Sequence, residues 1–329
     1  MPKIVRFHQT GAADVLKIED LPLTEPGQGE IRIKVEAIGL NRAEVMFRQG
    51  QYLENPELPS RIGYEAAGVV DAVGAGVSGF RIGDRVSSIP AFSIGKYGVY
   101  GESAIIPAHA VALYPDHLSA IEGTSIWMAY LTAFGALVDI GQLQKEQTIL
   151  ITAASSSVGL AAIQTTKAIG ATAIATTRGA DKKQFLLDAG ADHVVVTNDE
   201  DLTERVLAVT SGKGADVIFD PIGGSILDTL GEVAANGGII FEYGALSSEQ
   251  TIFPLFAALA KGLTIRGYTL FEITQDAQRL ASGKRYVLDG FQSGVLKPII
   301  DRTFPLDAIA EAHRHMESNQ QLGKIVVTV

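Results

Sequence analysis

Residues Thr152 to Ala162 read Thr-Ala-Ala-Ser-Ser-Ser-Val-Gly-Leu-Ala-Ala. Nearly every side chain in this run is small. It falls between a short apolar stretch, Thr148-Ile149-Leu150-Ile151-Thr152, and a segment with helical spacing, Val158 to Ile169. A strand-to-helix turn built of small residues lets the backbone turn tightly. It also lets phosphate oxygens approach N–H groups at a helix N-terminus, which is the chemistry of a dinucleotide pyrophosphate site. The glycine fingerprint of such loops, G-x-G-x-x-G, is here Ala154-x-Ser156-x-x-Gly159. Two glycines are replaced by small residues and the helix-packing one remains. Ser155, Ser156, Ser157, Val158 and Gly159 are therefore the candidate phosphate contacts. An ordinary strand–helix turn with a serine N-cap reads the same residues without a ligand. The strand–helix units that follow favour the cofactor.

The next strand ends in Thr176-Thr177-Arg178-Gly179-Ala180-Asp181-Lys182-Lys183. An NAD site usually carries an acidic residue there to accept from the ribose 2′-hydroxyl. Arg178 stands in that place instead, with Lys182 one helical turn on. A guanidinium binds phosphate bidentately, so Thr177, Arg178 and Lys182 point to a 2′-phosphate and to NADPH over NADH. A solvated helix start is the alternative, and Asp181 could pair with the cations or accept from a ribose.

Asn41, three residues before Glu44, has two readings. Its carboxamide could orient a substrate or a ribose hydroxyl, or it could cap a helix, with Glu44 reaching back in a capping box. The chain contains no cysteine. That excludes disulfides, thiolate metal ligands and thiol nucleophiles. The six histidines show no ligand spacing, and no Ser-His-Asp order is present. No metal site is expected. What remains is hydride chemistry, in which the protein supplies positioning, a dry site and donors aimed at the oxygen where charge builds.

These residues must be held by three regions of different character. Residues 1–124 read as β-rich: Glu30-Ile31-Arg32-Ile33-Lys34-Val35-Glu36-Ala37 alternates charged and apolar, the mark of a strand with one wet face. Glu65, between a turn and an apolar strand, is expected to hold a basic partner such as Arg85. Residues 125–266 alternate strand and helix, with strands at Thr148–Thr152, Ala173–Thr176, His193–Val196, Asp216–Phe219 and Gly238–Phe241, and helices at Lys182–Asp188, Leu202–Val209 and Ile226–Ala235. Repeated β-α units with short links predict a doubly wound parallel sheet. Residues 267–329 carry helical patterns over Asp276–Phe291 and Leu306–Met316 and a final strand, Lys324–Val327. This stretch is too small for a core of its own and is expected to join the first region.

The formal charge is −10, with no run of like charge. Nucleic acids and anionic membranes are held by basic patches, so neither is an expected partner. No stretch of roughly 18 uncharged apolar residues is present, and the N-terminal residues run into a strand pattern rather than a signal peptide. The expectation is a cytoplasmic protein acting on a small molecule.

Several ordered motifs resemble one family. Gly39-Leu40-Asn41-Arg42-Ala43-Glu44 is similar to a G-x-N-x-x-D segment, and Gly63-Tyr64-Glu65-Ala66-Ala67-Gly68-Val69-Val70 to G-x-E-x-x-G-V-V. Val73-Gly74 to Gly83-Asp84-Arg85-Val86 follows V-G-x(n)-G-D-R-V, and Leu131-Thr132-Ala133-Phe134 resembles L-T-A-Y. Together with the loop Ala153 to Gly159, these motifs resemble the zinc-independent medium-chain dehydrogenases and reductases, specifically the zeta-crystallin-like quinone oxidoreductases. The resemblance spans Lys3 to Val329. It implies an α/β fold: a Rossmann domain at 125–266 and a β-rich, GroES-like catalytic domain formed by 1–124 and 267–329, with substrate between them. It implies NADPH-dependent reduction of a quinone. The alternatives are conjugate reduction of an α,β-unsaturated carbonyl or a non-catalytic NADPH-binding role. Among the residues, it implies Tyr52 as a candidate proton donor beside Tyr64, and Thr132 near the nicotinamide. The backbone of Gly244, Ala245 and Leu246 would face the carboxamide, and Lys324 becomes a further cofactor candidate. Asn41 and Tyr64 stand where zinc-dependent relatives place a cysteine and a histidine. Thr197 and Asn319 replace a tyrosine and an arginine that often help hold the 2′-phosphate, which leaves Arg178 and Lys182. A homodimer, joined through an edge strand near Phe241 to Phe253, is also implied.

Overall fold

A computed structural model describes every residue from Met1 to Val329. The chain divides into two compact units, Met1–Met128 with Pro298–Val329, and Ala129–Lys297.

In the first unit β1 (Lys3–Phe7) pairs antiparallel with β2 (Leu16–Asp20). A mixed seven-stranded sheet follows, built from β3 (Glu30–Gly39), β4 (Glu65–Val73), β5 (Arg85–Ser88), β6 (Ser103–Pro107), β7 (Val111–Leu113), β14 (Ile300–Pro305) and β15 (Lys324–Thr328). Its order is β14-β15-β3-β4-β5-β7, with β6 also paired to β3. The alternation read in β3 holds for exposed Lys34 and Glu36 and for buried Ile31, Ile33 and Val35. Arg32 departs from it: the side chain is buried because Asp71, Glu25 and the Thr24 carbonyl accept its guanidinium at 2.8, 3.0 and 2.9 Å. Gly68 of β4 is required by a close approach, since a Cβ there would lie 2.0 Å from the Lys34 carbonyl oxygen. Four helices accompany this part of the chain: α1 (Arg42–Gln49), α2 (Ile94–Tyr97), α3 (Ala120–Gly123) and α4 (Trp127–Ala133), the last spanning the point of division.

The second unit is a six-stranded parallel sheet of order β10-β9-β8-β11-β12-β13. The strands are β8 (Thr148–Ile151), β9 (Thr172–Thr177), β10 (His193–Val196), β11 (Ala215–Asp220), β12 (Ala234–Glu242) and β13 (Thr264–Gly267). Between them run α5 (Ser157–Ile169), α6 (Lys183–Asp188), α7 (Leu202–Val209), α8 (Ile226–Val233) and α9 (Leu255–Lys261). Both faces are covered, which is why these strands read as unbroken apolar runs. Leu150, Ile174, Val195, Val206, Ile218, Leu230 and Ile240 form its core. Strand order reverses between β8 and β11, the place where open α/β sheets bind ligands at their carboxyl ends.

Three expectations are corrected. Ala234 and Ala235, read as helix, begin β12, where Ala234 pairs with Ala215. The stretch 267–297, assigned to the catalytic domain, lies in the sheet unit. It contains α10 (Phe271–Thr274) and α11 (Ala277–Ser293). The apolar stripe of α11 has its partner there: Phe291 meets Tyr130 at 4.8 Å, Tyr286 meets Phe134 at 5.2 Å, and Arg279 pairs with Asp139. Only β14, α12 (Ile309–Glu317) and β15 return to the first unit. Finally, Phe241 is not at an edge, because β12 is flanked by β11 and β13; the edge strands are β10 and β13. No helix is long and apolar enough to cross a membrane.

Candidate active site

In the sheet unit, β8 ends at Ile151 and α5 begins at Ser157. Ser156 is the N-cap, its Oγ accepting from the Gly159 N–H at 3.1 Å. The cap and a phosphate loop are therefore compatible readings of the same residues. Ala153 takes a positive φ of 45°, and Ala154 is fully buried beneath the turn. A Cβ on Gly159 would come within 2.6 Å of the Ala154 carbonyl oxygen, so this is the position where only glycine fits. Lys182 donates to Ser155 Oγ at 3.2 Å, which brings a cation from the end of β9 to the loop. Arg178 is exposed. Thr177 is buried, its hydroxyl donating to the Gly179 carbonyl at 3.3 Å. Thr132 is buried in α4. Gly244, Ala245 and Leu246 follow β12 and fold over the Asp220–Ile222 turn: Leu246 N–H donates to the Pro221 carbonyl at 3.0 Å.

At the same strand ends the structure places a group the sequence reading missed. Thr152, Asp220 and Glu242 stand at the ends of adjacent strands, and Asp220 is in register with Glu242. Asp220 accepts from the Thr152 hydroxyl and from the N–H groups of Ile222 and Gly223 at 3.1 and 2.7 Å. Burial and the neighbouring Asp220 push the Glu242 carboxyl up to about 8. The available signal was an acidic residue directly after the apolar runs Val217-Ile218-Phe219 and Ile239-Ile240-Phe241.

In the first unit, Asn41 caps α1 and is buried. The Glu44 carboxylate accepts from the Asn41 N–H, from Asn41 Nδ2 at 3.2 Å and from the Tyr64 N–H at 3.1 Å. Asn41 Nδ2 also donates to Glu65 Oε2 at 3.1 Å, and Asn41 Oδ1 accepts from Lys324 Nζ at 2.6 Å. Lys324 and Glu65 form a buried ion pair, at 1% and 0% side-chain exposure. Glu65 Oε1 accepts from the Met128 N–H at 2.8 Å. Burial raises the Glu44 carboxyl to about 7, against the opposing pull of Lys324 and the hydrogen bonds from Asn41 and Tyr64.

This network changes three readings. Glu65 pairs with Lys324 rather than Arg85, whose guanidinium goes to the carbonyls of Asp116 and Leu118 and to the Tyr114 hydroxyl. The Lys324 ammonium is committed to a carboxylate and an amide within its own unit. The Asn41 amide spends both its ends on protein partners. The position where related enzymes hold zinc offers an amide oxygen, a carboxylate already neutralised by an ammonium, and a tyrosine, so its donor set does not fit that metal.

Tyr52 and Tyr64 are brought together, ring centroids 6.4 Å apart and edge-on. Tyr64 is fully buried and also packs against Phe92 at 5.7 Å. Tyr52 is only partly buried, which makes it the phenol of the pair that a ligand can reach. Burial raises the affinity of both phenols for their protons. Both are therefore protonated donors at neutral pH.

Both units resemble known proteins. Residues 27–116 match the alcohol dehydrogenase GroES-like domain, and residues 157–282 match the zinc-binding dehydrogenase domain. The synaptic vesicle membrane protein VAT-1 homolog of Rattus norvegicus is 29% identical, covering 96% of this chain and 81% of its own length. The quinone oxidoreductase of Pseudomonas aeruginosa is 30% identical over 99% of both chains. The crystal structure of Escherichia coli quinone oxidoreductase complexed with NADPH superposes with a TM-score of 0.93 at 29% identity, covering 99% of this chain and 100% of that one. With the GroES-like and Rossmann units both in place, the chain belongs to the zinc-independent quinone oxidoreductase family of the medium-chain dehydrogenases and reductases.

Proposed function

We propose that this protein is an NADPH-dependent reductase that passes hydride to a quinone. The observation that carries the reading is the capped loop Thr152–Gly159 with Lys182 drawn onto Ser155. The loop supplies N–H groups at a helix start for a pyrophosphate. Lys182 and the exposed Arg178 supply cations for a 2′-phosphate. NADPH, when bound, supplies the hydride. The chain's own contribution is to orient the acceptor and to meet charge developing on its oxygen. Tyr52 is the donor for that oxygen, held edge-on against the Tyr64 ring. Asn41 has a positioning role in this reading: its amide is fixed by Glu44, Glu65 and Lys324, and it sets the start of α1 and with it the approach to Tyr52.

The same protonated tyrosine pair favours a second reading, conjugate reduction of an enone, in which a phenol finishes the enolate. The test is NADPH oxidation followed by absorbance, with phenanthrenequinone and an enone as parallel acceptors. Fast quinone turnover is expected. Tyr52→Phe should lower kcat/KM for the enone about 100-fold and for the quinone much less. Turnover confined to the enone would move the assignment to enoyl reduction. Silence on both acceptors would leave a non-catalytic NADPH-binding role.

The proposal includes a homodimer. Ile252, Phe253, Leu255, Phe256 and Leu259 are all exposed, on α9 and the residues before it, in the segment that leads into edge strand β13. A run of exposed apolar residues near an unpaired strand edge suits a second copy of the same chain.

A further inference from the structure

The carboxyl pair at the ends of β11 and β12 has one atom unaccounted for. Asp220 is saturated, with a hydroxyl and two N–H groups donating to it. Glu242 stands in register with Asp220, and burial beside that carboxyl makes it hold its own proton. Its second oxygen, Oε1, is buried and accepts no hydrogen bond. A buried acceptor left without a donor is destabilising, so the site is built for a donor from outside the chain. The surroundings say which ligand. Tyr243, the next residue, stacks on Phe219 at 3.9 Å. Thr152, the residue after β8, donates to Asp220 and opens the loop that runs to Gly159. Phosphates offer only acceptors; the donors of a dinucleotide nearest its pyrophosphate are ribose hydroxyls.

We propose that Glu242 is a cofactor-binding residue, accepting a hydrogen bond at Oε1 from a ribose hydroxyl of the bound dinucleotide while donating its own O–H to Asp220. The inference rests on the NADPH reading above. It deepens that reading by giving cofactor affinity a dependence on one proton. Two carboxylates this close do not both ionise readily. Asp220, with its N–H donors, carries the charge, and Glu242 keeps the proton up to about pH 8. No other charge intervenes. Thr152, after β8, is neutral, and Gly267 is the β13 partner of Glu242. Arg266 is in register with Phe241, lies over that ring and is paired with Glu272. Glu249, beyond Gly224, is exposed. Above pH 8 the second carboxylate faces a polyanionic ligand and cannot remain a donor to Asp220.

The test is NADPH binding by fluorescence titration, with no acceptor present. Wild-type protein should bind about tenfold more weakly at pH 9 than at pH 7, as one unit above the pKa leaves about a tenth of the acid protonated. Glu242→Gln keeps a donor for Asp220 and an acceptor for the ribose without a titrating proton, and should vary by less than about twofold. Glu242→Leu should bind about fivefold or more weakly at pH 7. A Glu242→Gln profile that follows wild type, or a Glu242→Leu affinity equal to wild type at pH 7, overturns the inference while leaving the NADPH reading intact. Wild-type protein that binds no NADPH at either pH overturns both. Failure on quinones affects neither measurement.

Discussion

Arg178 and Lys182 both stand at the end of β9, but the structure treats them differently. Lys182 is half-buried and leans on Ser155, whereas Arg178 is exposed. A ligand that brings a phosphate to this place gains a planar, pre-organised partner from Arg178. One charge-assisted hydrogen bond of about 1.5–3 kcal/mol corresponds to roughly a ten- to hundredfold change in affinity. Arg178→Ala should therefore weaken NADPH binding by at least about tenfold and leave NADH binding unchanged. Dissociation constants for both cofactors decide it. Equal values for NADPH and NADH in the wild type, untouched by the substitution, would remove Arg178 from cofactor choice.

At the scale of elements, Lys324 ties the start of β15 to β4 through Glu65 and to the N-terminus of α1 through Asn41. Three elements far apart in sequence thus meet at one ammonium. Lys324→Met would leave Glu65 buried without its counter-charge, which costs about 3–5 kcal/mol when one partner of a buried pair is removed. A large fall in thermal midpoint is expected, with part of it recovered when Glu65→Gln is added. A variant that melts with the wild type would mean the pair contributes nothing. Tyr52 and Tyr64 depend on the same elements, since the Glu44 carboxylate grips both the Asn41 cap and the Tyr64 N–H. The partly stable variant should accordingly lose reductase activity before it loses NADPH binding, which we propose for the other unit.

At the scale of the whole molecule, Phe256 and Leu259 are 85% and 72% exposed on α9. Large apolar side chains clustered in this way mark an association surface more often than an ordinary one. Size-exclusion chromatography with light scattering should return twice the chain mass, and Phe256→Glu with Leu259→Glu should return the monomer. A wild-type monomer at micromolar concentration would end the dimer proposal.

The sequence by itself determined the fold class. Strand and helix periodicities in residues 148–241, and the alternation in Glu30–Ala37, depend on local burial that every homologous placement of the chain would share. It also singled out the turn proposed here as the phosphate loop, because small residues between a strand and a helix let the backbone turn tightly. Only the tertiary structure decided the partners. Lys324, Glu65 and Asn41 are hundreds of residues apart at the extremes, and nothing local tells an ammonium which carboxylate it will meet; Arg85 was far nearer to Glu65 in sequence and went elsewhere. The same holds for α11, whose apolar stripe could have packed on either unit and found Tyr130 and Phe134. It holds also for Asp220 and Glu242, each an ordinary strand-end acid until parallel pairing set them in register and burial left one proton between them.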